Sequence, residues 1–565
     1  MYRIFPFLKW LPDLKNRGTL FADSVAGATV AMVIIPQSMA YADLANLPHV
    51  YGLYAACIGP AIAALFGSSR HLATGPVAMA SLISAATVQS VVPKGSDLFV
   101  DYALLLALLV GILRLLMGLI RLGALVDLLS VPVIAGFTNA AALIIATSQL
   151  DKIFGVAPSH VELHLFGVFD VLRRAMNETH ESTVLIAICA IVVMSVLRYC
   201  SPRWPDVLIV AIVTSVGAWY LGYEGKIIGI VPAGLPEFRW PMFSFKAAIA
   251  LLPGACVLTL VGLMEAMAVA KTIATESKQE IDTNLELYGQ GLANIVGSFF
   301  SSFVVSGSFS RSAINFRSGA KTGFSSIITS VLVAVVLMWF TPLLYYLPQA
   351  TLAAIICLAV VNLVRISPFI QSWRVHWQDG AIGLITFLAT LLWAPNLQVG
   401  IGLGVGLSLV LNVYRTMRPN VVFLTRHADD MLGPTKLDDL DSESKVVIMR
   451  FDGRLYFGSS RYFEDRVLDV IAHVRGLRFF VIDAGGINYI DATGIATLIT
   501  VTERLKSVGI EIHFSRVKEQ VRNAMECCGI SEQSQSRRFF RWNQHALEFL
   551  GNRIASEHAM LSDSN

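Results

Sequence analysis

The sequence predicts an α-helical polytopic membrane protein, fourteen spans arranged as a 7+7 inverted repeat, with a small cytoplasmic α/β domain at its C-terminus. Three observations predict it. Apolar runs of roughly bilayer length follow one another from residue 21 to residue 414. Two of these runs, seven apart, are short and interrupted in matching ways. Beyond residue 445 the composition returns to that of a soluble domain. Of the 565 residues 55% are hydrophobic and 15% charged, against about a quarter charged in a soluble chain, so most of the surface must face something other than water.

Spans are expected near 20–45, 51–66, 74–90, 102–120, 131–150, 183–199, 206–222, 247–272, 285–303, 307–320, 324–346, 349–365, 379–394 and 398–415. The N-terminal stretch MYRIFPFLKWLPDLKNRG has no apolar core with a small-residue cleavage site, so it reads as a cytoplasmic lead-in to a retained first span. An even number of spans places both termini on one side. Arg3, Lys9, Lys15, Arg17, Arg70, Arg121, Arg198, Arg203, Lys271, Lys278, Arg317, Lys321, Arg365, Arg374, Arg415 and Arg418 fall on that side. Short loops opposite carry only Lys94, with Lys152, Arg173, Arg174, Lys226, Arg239 and Lys246 in two long ones. The bias makes both termini cytoplasmic, in a cell (plasma or inner) membrane.

The third run opens with Thr74-Gly75-Pro76 and the tenth with Ser306-Gly307-Ser308-Phe309-Ser310-Arg311. Seven is odd, so the second half is inverted and the two half-helices point their N-termini at each other around a midplane site. Such ends offer unpaired N–H groups and the positive ends of two macrodipoles, which suits an anion held where free charge is expensive. Thr74 is expected to cap the third span with Pro76 in its first turn, and Ser308 or Ser310 to cap the tenth or donate a hydroxyl to the ligand. On the first span Pro36 frees a carbonyl and bends the helix, while Gln37 and Tyr41, four apart, share one face and can both donate to an oxyanion.

Glu265 sits inside the apolar run VLTLVGLMEAMAVA. A carboxyl at that depth is either protonated or paired, and Arg311 at the head of the tenth half-helix is the expected partner. A pair that opens on protonation, releasing Arg311 to the anion, couples proton to substrate.

Other features carry less. Gly400, Gly402, Gly404 and Gly406 lie in an apolar span and read as helix packing. Seven cysteines show no metal-ligand spacing, and no P-loop or nucleophile elbow appears; no cofactor, metal or enzyme is expected. Net charge of +3 without a basic tail excludes nucleic acid. The division expected is 1–420 for the membrane part, a polar linker over 421–440 within a connector reaching 444, and 441–555 for the tail domain. There, 446–451, 479–482 and 510–514 read as strands and 461–474, 492–508 and 517–527 as helices. Asp491 reads as an N-cap, with Thr493 beside it a candidate regulatory phosphorylation site.

The run DSVAGATVAMVIIPQSMAY over 23–41, Tyr51-Gly52-Leu53-Tyr54, GSSRHLATGP over 67–76 and SFSRS over 308–312 resemble the SulP sulfate permeases, the family of pendrin and prestin. IDATGIATL over 490–498 resembles the STAS domain. The resemblance implies a uracil-permease-like inverted repeat with core and gate domains in elevator motion, usually as a homodimer. It places the anion between the first, third, eighth and tenth spans, lined by Gln37, Tyr41, Gly75, Pro76, Val77, Ser310 and Arg311. Glu265 matches the acidic position associated with proton coupling in plant-type symporters. Val77 stands where some animal relatives have Phe. The function implied is proton-coupled sulfate symport; bicarbonate, perhaps sodium-driven, or a C4 dicarboxylate are alternative cargoes. A STAS-based scaffold that binds a cytoplasmic partner is a reading of another class.

Overall fold

The computed structural model describes residues 5–562 apart from 97, 124–129, 159–160, 162, 201–203, 362, 427–431 and 531–538, with side chains as far as residue 556. Arg3 and Arg203, which contribute to the expected charge bias, the stretch 427–431 of the linker and 531–538 of the tail lie outside the described residues. The chain forms two compact units, Met1–Ser408 and Leu409–Asn565.

The first half of the membrane unit comprises α1 (Arg17–Leu44), α2 (His49–Phe66), β1 (Thr74–Gly75), α3 (Ala78–Gln89), α4 (Leu98–Leu119), α5 (Val131–Thr147), α6 (Leu150–Phe154), α7 (His164–Glu178), α8 (Glu181–Cys200) and α9 (Asp206–Tyr220). The second comprises α10 (Phe245–Ser277), α11 (Thr283–Phe299), β2 (Ser306–Gly307), α12 (Phe309–Arg317), α13 (Phe324–Val335), α14 (Gln349–Val361), α15 (Ile366–Val375), α16 (Trp377–Leu392) and α17 (Leu397–Met417). A helix overlies every expected span. Among the described residues nine helices are long and apolar enough to cross a membrane. Helix α7 was not expected: Phe166 and Phe169 share it with Arg173 and Arg174, a mixture too polar to span.

Helices α3 and α12 have 12 and 9 residues. At 1.5 Å per residue they reach roughly 18 and 14 Å, well short of a hydrocarbon core of about 30 Å. Extended chain supplies the remainder. Non-helical backbone survives at membrane depth only when buried in protein with its polar groups paired. Here the two extended segments pair with each other: β1 and β2 are antiparallel, Thr74 opposite Gly307 and Gly75 opposite Ser306.

The inverted repeat is visible in which helices pack together. A shift of seven spans exchanges α1 with α10, α2 with α11, α3 with α12 and α4 with α13. The packed pair α2–α13 then becomes α11–α4, α1–α12 becomes α10–α3, and α1–α13 becomes α10–α4; all six pairs are present. Small residues set the closest approach. A Cβ on Gly111 of α4 would lie 2.7 Å from the amide nitrogen of Ile295, and one on Gly291 of α11 would lie 2.7 Å from that of Leu115. Of the four glycines of α17 only Gly400 and Gly404 pack, against Thr390 and Thr386, whereas Gly402 and Gly406 face open space. Residues two apart point to opposite sides of a helix, so the packing role expected of all four belongs to one pair.

In the second unit a six-stranded sheet has the order β4 (Leu432–Thr435), β3 (Asn420–Arg426), β5 (Val446–Asp452), β6 (Phe479–Asp483), β7 (Glu511–Ser515) and β8 (Phe539–Phe540). Strands β5 to β8 are parallel and β3 is antiparallel to β5. Strand alternation divides the apolar side chains between two faces. Phe480 and Ile482 pack with α18 (Ser460–His473), α19 (Ala492–Ser507) and α20 (Glu519–Cys527) through Phe463, Leu498 and Met525. Phe479 and Val481 pack on the other face against Ala546 and Leu550 of α21 (Asn543–Ser562). The stretch expected as a linker differs: β3 and β4 lie within it and extend this sheet. NVVFLTR is rich in β-formers, and Phe423, opposite Met449, is buried in the core.

Candidate anion site

Strand pairing brings the two breaks together, and a second layer of polar side chains fixes them. Ser308 donates its amide to the Ala73 carbonyl at 3.0 Å, and the Ala73 amide donates to Ser312 Oγ at 2.8 Å. Helix α11 backs both breaks with a polar stripe. Gln290 Nε2 donates to Thr74 Oγ1 at 2.6 Å, while Asn294 accepts from the Val305 amide at 2.9 Å and donates to its carbonyl at 3.0 Å. Glu286, one turn earlier, accepts from the amides of Ser68 and Ser69. Residues 286, 290 and 294 recur every fourth position along α11. That spacing puts them on one face and was the sequence signal for this layer.

The helix starts differ from expectation in detail. Helix α3 begins at Ala78 with Val77 as its N-cap, so Thr74 is not a cap and Pro76 precedes the helix. The residue before a proline avoids helical angles, which holds Gly75 extended and delays the start. Ser308 does occupy the N-cap of α12, but its hydroxyl lies 3.4 Å from that of Ser310 and makes no cap bond. With no side-chain cap on either helix, first-turn N–H groups are left open at both N-termini.

Arg311 occupies the space between them. It is fully buried. Its Nη2 donates to the Pro76 carbonyl at 2.8 Å and its Nη1 reaches Gln37 Oε1 at 3.5 Å, while Nε has no partner among the described residues. Gly75 makes room for it: a Cβ there would lie 3.2 Å from Nη2 and 2.9 Å from Ile34 Cδ1. Gln37 and Tyr41 are both buried on α1. Tyr41 lies in the field of Arg311 and of Glu265. Val77 is buried and Ser310 exposed. Pro36 is accommodated within a continuous α1.

Glu265, half-buried on α10, makes no hydrogen bond or ion pair with a described residue. The expected Glu265–Arg311 ion pair is therefore open in this structure, with Arg311 turned to two neutral acceptors. Sequence reading missed Arg114 of α4, a second buried guanidinium in the field of Glu265. Its signal was a lone arginine in an apolar span. A separate cavity of about 410 Å³ is lined by Lys94, Lys152, His180, Tyr223, Lys226 and Gln349 and includes none of the residues of the breaks. In the tail unit Asp491 caps α19 by accepting from the Gly494 amide at 2.8 Å, and Thr493 is exposed.

These features define a class: a multi-pass helical carrier built on an inverted repeat, with two broken helices meeting at its centre. Comparison with known proteins narrows it. The model of the Sulfate permease family matches residues 20–386, and that of the STAS domain matches 439–541. Probable sulfate transporter 4.2 of Arabidopsis thaliana is 32% identical over 550 residues, 94% of this chain and 81% of that protein. The sodium-independent sulfate anion transporter of Bos taurus is 34% identical over 459 residues, 74% of each. Among solved structures, the murine Solute Carrier 26 family member A9 anion transporter in its inward-facing state superposes with a TM-score of 0.87 at 24% identity, over 97% of this chain and 94% of that one. The transmembrane domain of a cyanobacterium bicarbonate transporter gives 0.60 at 23%, over 69% and 98%. The chain belongs to the sulfate permease family and carries a C-terminal STAS domain. It is an anion transporter.

Proposed function

We propose that this protein is a proton-coupled sulfate symporter, working as a homodimer by elevator motion, with sulfate held between α1, α3, α10 and α12. The observation that carries this reading is Arg311. A buried guanidinium without a carboxylate partner is costly, and one set between two uncapped helix N-termini is complementary to an anion. Gln37, Tyr41, Ser310 and the Val77 amide supply donors around it, and Gly75, Pro76, Val77 and Ser308 shape the walls. Glu265 is near enough to sense Arg311 without being bound to it. Anion binding that occupies Arg311 removes a cation from Glu265 and favours proton uptake; by reciprocity the proton favours the anion.

Elevator motion is supported by the seam between α1 and α2 on one side and α5, α8, α9 and α14 on the other. It is lined by the apolar side chains Val33, Ile34, Met39, Ala142, Ile145, Leu352 and Ile356, and the Asp43–Lys152 ion pair between α1 and α6 is the directional contact that sliding would have to break. The cytoplasmic termini follow from the charge bias of the loops. Asp491 and the exposed Thr493, at the start of α19, are the proposed contact for a cytoplasmic partner. The test is uptake of radiolabelled sulfate, bicarbonate and succinate into proteoliposomes under imposed pH or sodium gradients. Sulfate accumulation driven by an inward proton gradient alone is the expected result; accumulation of another anion, or on sodium alone, overturns it.

A further inference from the structure

Arg114 is unused by the mechanism above, yet a full charge inside α4 is expensive enough to require an explanation. Its side chain is 1% exposed. Nη1 donates to the Val305 carbonyl at 2.9 Å and Nη2 to the Leu258 carbonyl at 3.2 Å, while Nε is buried without a partner among the described residues. Val305 immediately precedes β2, and thus the break before α12. Leu258 lies on α10, one turn before Gly262. The guanidinium docks on Gly262, where a Cβ would lie 2.2 Å from Nη2. Ser306 Oγ closes the same corner by donating to the Gly262 carbonyl at 3.0 Å. Gly262 and Glu265 are three apart and share a face of α10. Arg114 thus joins the turn that carries the acid to the strand that leads into Arg311.

We propose that Arg114 is a positioning residue for the coupling acid: a fixed cation, tied to two carbonyls, that holds Glu265 in register with the break before α12 and sets the pH at which it exchanges its proton. This rests on Glu265 being the coupling group. Arg311 can turn to the anion, whereas Arg114, tied to two carbonyls, cannot follow and stays with Arg365 as positive charge near Glu265. A carboxyl with less positive charge beside it holds its proton more tightly and releases it at a higher pH.

The other charged or titratable groups facing Glu265 are Arg311 on α12, Tyr41 on α1 and Arg365 before α15. Helix α3 and strand β2, both packed on α10, bring none. Glu286 of α11 is committed to the amides of Ser68 and Ser69.

The experiment compares Arg114→Gln, Arg114→Lys and Gly262→Ala in the full-length protein, reconstituted, by the pH profile of sulfate uptake and by the sulfate KM. In Arg114→Gln the midpoint of the profile is expected to move up by about one pH unit, the effect of one close charge, with KM changed less than threefold. Arg114→Lys keeps the charge and is expected to restore the midpoint. Should Arg114→Gln not yield folded protein, Gly262→Ala reads the same relation, because it displaces the guanidinium and leaves every charge present; its midpoint moves in the same direction. Lower uptake with an unmoved profile in Arg114→Gln, or in Gly262→Ala where only that variant folds, overturns the proposal. So does a lysine variant as shifted as the glutamine. Glu265→Gln separates this from the reading beneath it. If that variant still concentrates sulfate on a pH gradient, the symport mechanism fails; if it does not, and the Arg114 profiles stay put, only Arg114's role fails.

Discussion

The Arg311 guanidinium donates to the Pro76 carbonyl at 2.8 Å across 235 residues of chain. Each residue stands at the head of a short helix interrupted before it begins, one in each half of the repeat. The bond spends a charged donor on a neutral oxygen, so an anion arriving between the helices offers Arg311 a stronger partner than the one it has.

Replacing Gln37 or Ser310 by Ala removes a donor on one side of Arg311 while leaving the charge in place. Each is expected to weaken sulfate binding by about 1.5–3 kcal/mol, the worth of a hydrogen bond to a charged group. Calorimetric titration of sulfate into detergent-solubilised protein measures it, and unchanged affinity in both variants removes the anion from this site.

Gly75 admits no side chain without moving Ile34 or Arg311. Gly75→Ala is therefore expected to destabilise the break by roughly 1–3 kcal/mol, as overpacking does, and to lower sulfate affinity with it. Gly402→Ala meets open space in α17 and is the matched control, with thermal stability and affinity near those of the parent. Equal behaviour of the two variants would mean that the close approach at Gly75 is unimportant.

Glu265→Gln fixes the neutral form of the coupling group. The variant is expected to bind sulfate and exchange it for sulfate, and to lose accumulation driven by a pH gradient. Counterflow of labelled sulfate and pH-jump uptake in the same vesicles separate the two activities.

The tail domain begins earlier than its polar lead-in suggests, because β3 covers the edge of β5 and buries Phe423. A fragment of residues 418–565 is expected to be soluble and two-state in urea. One starting at 441 exposes that edge and loses the Phe423 packing, and is expected to be less stable by about 2–4 kcal/mol or to aggregate. Equal midpoints for the two fragments would show that the first two strands add nothing to the domain's stability.

The amino-acid sequence determined the long apolar helices and which of them are broken, though not the more polar α7 or the short α15. Apolar run length is a local property, and so are the glycine, proline and serine interruptions at 74–76 and 306–311. Odd spacing between the two interruptions was enough to invert one half against the other. Gln37, Arg311 and Glu265 were legible because a polar side chain in an apolar span is rare and has few explanations. Partner choice was not legible. Arg311 was expected on Glu265 and lies on Gln37 and Pro76, since which oxygen a guanidinium meets depends on how four helices cross. Thr74 looked like a cap and is a strand residue held by Gln290, a contact between positions far apart in the chain. Arg114 reaches two carbonyls that no pattern in α4 announces, and β3 joined a sheet whose partner strand lies beyond a polar connector. Local periodicity fixes an element because its cause lies within a few residues; hydrogen-bond partners and strand neighbours are fixed by packing, whose cause is the whole fold.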